Sequence, residues 1–360
     1  MRPVILTFII FILNFATPAY GAHSKAGAPD KKLSIGFIYV SPVATEGFSY
    51  SHDIARVALG KKPNITTFYV DNISEGADAE EVMAEMARNK TDIIVATSYG
   101  FMDATEIVSK QFPEQVFLHC SGDKVGPNLS SFFARIYQAR YLTGMTAGLM
   151  TSSNTIGYVA AYPIPEVLRG INAFTLGVQA VNPKAQVNVI WTRTWYDPVV
   201  EGEATLKVIE SGADVVTQHQ DSFAVQRTAA EKGVYAIGYH SDMSHLSKEK
   251  HLVSAIWNWL PFYETVVEKV QAGTWESGSF FYDIKAGIVD ISEFGKAVPK
   301  NVREQVLKRR QELIDGSYVI FSGPVVDTDG KIVVPAGEML PDEQLFSMDW
   351  FVKGVVQIDK

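Results

Sequence analysis

The stretch VNVIW (187–191), GEATLKVIESG (202–212), ADVVTQ (213–218), SFAVQRTAAEKG (222–233), VYAIGY (234–239) decides the fold. Apolar runs of about five residues alternate with amphipathic helical segments, the pattern of a parallel sheet with crossover helices. Polar and aromatic residues fall where the strands end. Trp195, Tyr196 and Asp197 follow the first strand, His219 to Asp221 the second, and His240 to Asp242 the third. In an open α/β sheet the carboxyl ends of the strands form one rim, and ligands bind in the crevice outside it. Three strands therefore bring one aromatic cluster and two carboxylate-bearing turns to the same place, as a pocket for a flat, hydrogen-bonding molecule requires.

The same alternation runs upstream. LSIGFIYV (33–40), ITTFYV (65–70), TDIIVATSYG (91–100) and VFLHC (116–120) read as strands separated by helices, and Phe48, Tyr50, His52 and Asp53 sit near the start of the first helix. RIYQARYLTGMTAGL (135–149) is helical in pattern, with Gly144, Ala147 and Gly148 permitting close packing. TIGYVAA (155–161) opens the second α/β series. Two such halves in succession predict two lobes facing across a cleft, a preferred place for ligands. LVSAIWNW (252–259) is expected to run between the lobes, and the segment from Gly273 to Ser292 to form a hairpin-like return. VDTDG (326–330) marks a turn between two short strands.

Composition bounds the function. The chain has 360 residues, 47% hydrophobic and 20% charged, enough for more than one core. The net charge of −8, without a basic patch, argues against nucleic acid or an anionic membrane surface as partner. Arg2, the apolar run Val4 to Phe15 and Ala19-Tyr20-Gly21 read as a secretory signal (1–21), followed by a flexible leader (22–32). Cys120 is the single cysteine, so no disulfide can form within the chain and no lipobox cysteine follows the signal. An exported protein of this kind fits the bacterial periplasm.

Enzyme motifs are missing. No glycine cradle for a nucleotide follows the first strand, the histidines lack zinc spacing, and there is no GxSxG; no cofactor is expected. Trp191 and Trp257 lie inside apolar strands and read as core, whereas Trp195 and Phe48 occupy strand-end loops and are expected to line the cleft. Asp53 and Asp197 are equally readable as ligand contacts or helix caps.

Seven phrases, in order, resemble the basic membrane protein family of ABC-transporter substrate-binding proteins. They are GFIYVSPVATEGFSYSHD, ARIYQARYLTGMTAGLM, IGYVAAYPIPEVLRGINAFTLG, WTRTWYDPVVEGEAT, GADVVTQHQDS, GVYAIGYHSDM and AIWNWLPFY. The resemblance implies a type I periplasmic-binding fold: two Rossmann-like lobes with parallel sheets flanking a cleft, three crossings and a C-terminal extension. On that reading 33–134 and 256–275 form the N-terminal lobe, and 135–255 with 276–360 the C-terminal lobe. It further implies a purine held between an aromatic of each lobe, Phe48 and Trp195, with its edge read by Asp242. The full expected ligand-binding set is Phe48, Tyr50, His52, Glu166, Trp195, Asp197, Asp221, Tyr239 and Asp242. Tyr162 to Glu166 stand where nucleoside-binding members carry the glycines that line the sugar site, which points to a free base, adenine first. Partners on this reading are the purine and an inner-membrane permease, the protein itself being a monomer without a lipid anchor. Purine nucleoside binding, a nucleoside-processing enzyme and a ligand sensor for a signalling receptor are the alternatives.

Overall fold

The computed structural model describes residues 31–43 and 46–358; the signal and most of the leader lie outside the described residues. The first lobe opens with β1 (Leu33–Ile38), α1 (Gly47–Leu59), β2 (Ile65–Val70), α2 (Ala77–Arg88), β3 (Ile93–Ala96), α3 (Met102–Gln111), β4 (Val116–Cys120) and β5 (Leu129–Ala134). The second follows as α4 (Ile136–Met150), β6 (Thr155–Ala160), α5 (Pro165–Val181), β7 (Gln186–Trp191), α6 (Pro198–Glu210), β8 (Val215–His219), α7 (Ala224–Lys232), β9 (Tyr235–His240) and β10 (His251–Trp257). Then come α8 (Leu260–Ala272), β11 (Ser279–Tyr282), β12 (Val289–Ile291), α9 (Lys300–Ile314), β13 (Val325–Val326), β14 (Ile332–Val334), α10 (Asp342–Phe346) and β15 (Val355–Gln357).

Two sheets carry the architecture. The first has the order β11-β5-β4-β3-β1-β2, the second β12-β10-β9-β8-β6-β7-β15, and their inner strands are parallel, as the α/β alternation predicts. Strand order reverses between β1 and β3 in one sheet and between β6 and β8 in the other. Such switch points part the loops at the strand ends and open a crevice for ligand.

The chain passes between the sheets after β5, after β10 and after β11. Two expectations change here. The run 252–259 is mostly β10, inside the second sheet between β9 and β12, with the passage beginning only at Asn258. The segment 273–292 is no hairpin: β11 lies parallel to β5 in the first sheet and β12 antiparallel to β10 in the second. β11 therefore belongs with the N-terminal sheet, although the span 276–360 is expected with the other lobe. Ser131 N donates to Gly278 O and Arg135 N to Tyr282 O, which fixes this edge.

α4 and α5 pack backbone to backbone at the centre of the second lobe. A Cβ on Gly144 would stand 2.1 Å from Phe174 O, and one on Gly177 equally close to Tyr141 O. Only glycine allows that approach. The helices are thereby held as one unit, fixing where Arg140 and Glu166 project. β13 and β14 pair antiparallel around the 326–330 turn, as expected.

Candidate functional site

The loops at the two switch points line one narrow, partly open cavity. From the first lobe it is lined by Val40 after β1, Phe48 on α1, Ser98 and Tyr99 after β3, and Ser121 after β4. The second lobe contributes Glu166 after β6, Trp195 after β7, His219 and Asp221 at the end of β8, and His240 at the end of β9. Phe48 and Trp195 are half-buried, each braced by neighbours. The Phe48 ring meets His52 edge-on at 4.6 Å between centroids and Trp257 at 5.6 Å; Trp195 meets Tyr162 edge-on at 5.0 Å. Preformed aromatic walls of this kind suit a flat ring.

Two carboxylates of the second lobe reach across to the first. Asp221 Oδ2 accepts from Ser41 Oγ at 3.2 Å, and its Oδ1 accepts from the backbone N–H of Phe48 at 3.2 Å. Phe48 lies in the first turn of α1, whose own N-cap residue, Glu46, makes no side-chain cap. Asp221 thus caps α1 from the opposite lobe, placing negative charge at the positive end of the helix. The approach needs Gly47: its φ is +82°, and a Cβ there would lie 2.5 Å from Asp221 O.

His240 supports Asp221 from behind. Trp257 Nε1 donates to His240 Nδ1 at 3.1 Å, so the proton of the neutral ring is on Nε2, which stands 3.1 Å from Asp221 Oδ1. Burial lowers the pKa of His240, with Asp221 opposing it. Glu166 forms the second crossing. Its Oε2 accepts from Ser121 Oγ at 2.8 Å, while Oε1 is 3.7 Å from His219 Nε2. Burial raises the Glu166 carboxyl above its usual range, with the Ser121 hydrogen bond pulling the other way. His219 is held well below its ordinary value by burial and by Arg140, which keeps it neutral.

Of the nine expected residues, the structure brings four to the cavity: Phe48, Glu166, Trp195 and Asp221. The others lie elsewhere. His52 is fully buried behind Phe48, stacked on Trp259 at 4.6 Å, with Nδ1 2.7 Å from Tyr263 Oη. Tyr50 is half-buried on α1 and outside the lining. Asp197 resolves as a cap, accepting from Val199 N and Val200 N at the start of α6. Asp53 pairs with Arg56. Tyr239 is a core residue beneath Arg140.

Asp242 is exposed, its side chain 52% accessible, and its Oδ1 accepts from Ser244 N. The reason is a reversal at His240, whose φ is +71°. The chain folds back along the sheet, Met243 N bonds Ser254 Oγ, and Asp242 ends 3.9 Å from His251, at the amino end of β10. Ser98, Tyr99, Ser121, His219 and His240 are additional lining residues. Their signal is position alone: each closes a strand or follows one within three residues.

The model of the Bmp family, described as ABC transporter substrate-binding protein PnrA-like, matches residues 32–322. This chain belongs to that family. Among Bmp relatives, a purine-binding protein of Brucella abortus is 37% identical over 94% of this chain and 97% of its own length. A putative ABC transporter glucose-binding protein of Haloferax volcanii is 34% identical, covering 92% and 83%. A solved solute-binding protein of an ABC transporter system from Aeropyrum pernix superposes with a TM-score of 0.70 at 17% identity, covering 79% of this chain and 92% of that one, which shows the shared fold. The Bmp chain is therefore an ABC-transporter substrate-binding protein with the type I periplasmic-binding fold.

Proposed function

We propose that this Bmp protein binds a purine, adenine foremost, in the interlobe cavity and delivers it from the periplasm to an inner-membrane permease as a soluble monomer. The observation that carries the reading is the pairing of aromatic walls with an incompletely satisfied acceptor. Phe48 and Trp195 face the cavity from opposite lobes, and Glu166 Oε1 is left to it. A carboxylate oxygen calls for a donor. Free adenine offers two, the exocyclic amine and the ring N9 hydrogen, of which the nucleoside has lost the second. The purine-binding relative supports the same ligand class.

Asp221 has a different part in this reading: its oxygens are occupied by Ser41, Phe48 and His240, so it serves closure. Ligand that bridges both lobes favours the closed form, the state a permease can distinguish. The test is mass spectrometry of the molecule that co-purifies, then calorimetry with adenine, adenosine, guanine, guanosine and glucose. Adenine should bind tightest. Equal or tighter binding of nucleosides would place the protein with nucleoside binders, and glucose binding alone would overturn the purine reading. Trp195→Ala and Phe48→Ala should each cost about 1 to 3 kcal/mol of stacking, roughly tenfold to a hundredfold in Kd, with unchanged melting.

A further inference from the structure

His219 has a second face, turned away from the cavity into the second lobe, where several polar groups find no protein partner. Arg140 on α4 is fully buried, and its Nε, Nη1 and Nη2 form no hydrogen bond. Its Cζ stands 3.4 Å from the ring centre of Tyr239 and 5.6 Å from that of Tyr158. The hydroxyls of both tyrosines and Nδ1 of His219 are also buried and unpartnered. Gly170 on α5 leaves room beside them. A methyl built on it would stand 3.8 Å from Tyr158 Oη, 3.9 Å from Arg140 Cγ and 4.0 Å from His219 Nδ1.

A guanidinium does not give up its proton in a protein, and a buried charge without a partner is costly. No ion pair forms on Arg140 among the described residues. Glu166 feels its field, but that carboxylate is also claimed by a second buried guanidinium, Arg169, and is itself hydrogen-bonded to Ser121. Asp221, the other buried carboxylate nearby, is taken up at the start of α1, so Arg140 is a buried charge with no carboxylate of its own. Water would satisfy the donors and leave that charge standing.

We propose that this pocket binds one small monovalent anion of the halide class, held by Arg140 and the Tyr158 hydroxyl against the back of His219. Beside Gly170 a single methyl already meets its neighbours at 3.8 to 4.0 Å, which suits a one-atom anion better than phosphate, sulfate or a carboxylate. An anion next to His219 Nδ1 draws the ring proton to that nitrogen, so Nε2 faces Glu166 and the cavity as an acceptor. The anion thereby sets the tautomer of a cavity-lining residue.

The test needs no purine, so it stands or falls apart from the ligand reading. Crystals grown or soaked in sodium bromide should give one anomalous peak bounded by Arg140 and Tyr158. At constant ionic strength, chloride or bromide should raise Tm relative to gluconate, saturating with concentration. Gly170→Ala, whose methyl fits the space without touching neighbours closer than 3.8 Å, should fold and lose that dependence. An ordered water without an anomalous peak, equal Tm in halide and gluconate, or a halide response retained in Gly170→Ala would each overturn the proposal.

Discussion

Asp221 and Glu166 are both carboxylates of the second lobe, both at switch-point loops, and both accept a serine hydroxyl from the first lobe. They differ in what remains. Asp221 has each oxygen engaged, by Ser41 on one side and by Phe48 N with His240 on the other. Glu166 has one oxygen engaged and the other facing the cavity, 3.7 Å from His219. Residue type alone does not make a ligand reader. A carboxylate saturated by its own protein holds the lobes together, and one left half-satisfied has chemistry to offer a guest.

The largest effect should come from breaking the saturated crossing. Asp221→Ala leaves the Phe48 N–H without its acceptor and should weaken purine binding by about 2 to 4 kcal/mol. Small-angle scattering should show that ligand no longer compacts the protein. If Asp221→Ala still closes normally on ligand yet loses affinity, Asp221 is a reader and the contrast collapses. Glu166→Gln is the complementary case. It should close normally and lose about 1 to 3 kcal/mol for ligands that present a donor, reducing the preference for adenine over adenosine. Unchanged selectivity would count against Glu166.

Glu201 extends the comparison one layer out. It is fully buried, accepts from Ser222 Oγ beside Asp221, and has its pKa raised to about 7, chiefly by burial. A carboxyl that binds its proton more tightly when folded stabilises the fold at low pH. That stability falls as pH rises from the unfolded value through about 7. The slope from this residue should approach about 1.4 kcal/mol per pH unit in that window. Glu201→Gln should flatten it, as seen by chemical denaturation at pH 5, 6 and 7; an unaltered slope would assign the titration elsewhere. Smallest of all is Asp242→Ala, expected to change affinity by less than about 0.5 kcal/mol because the side chain is exposed and remote from the cavity. A loss of tenfold or more in calorimetry would return Asp242 to the site.

Much of this arrangement is legible in the sequence. Alternating apolar runs gave the two sheets, the strand-end rule led to Phe48, Trp195 and Asp221, and Glu166 came with the family resemblance. β5 escaped because Ser130 and Ser131 interrupt the apolar run of LSSFFA, and β11 because its partner lies in the lobe the chain had left. Asp242, expected at the site, lies away from the cavity for a conformational reason. No glycine announces the reversal at His240; a histidine adopts φ +71° there, held by Trp257 and Asp221. Tertiary contacts supplied what local sequence did not encode. Asp197 was open between cap and ligand because both readings use the same residue in the same place, and only the two N–H groups it accepts from decide between them.

The borrowed cap on α1 also makes the helix a timekeeper. Its first turn is complete only while the lobes touch, since the acceptor for Phe48 N–H belongs to the other half of the molecule. Each parting of the lobes exposes that amide to solvent, so its deuterium uptake counts the openings through which a bound molecule can leave. The residence time of the cargo is then written into the exchange rate of a single backbone proton.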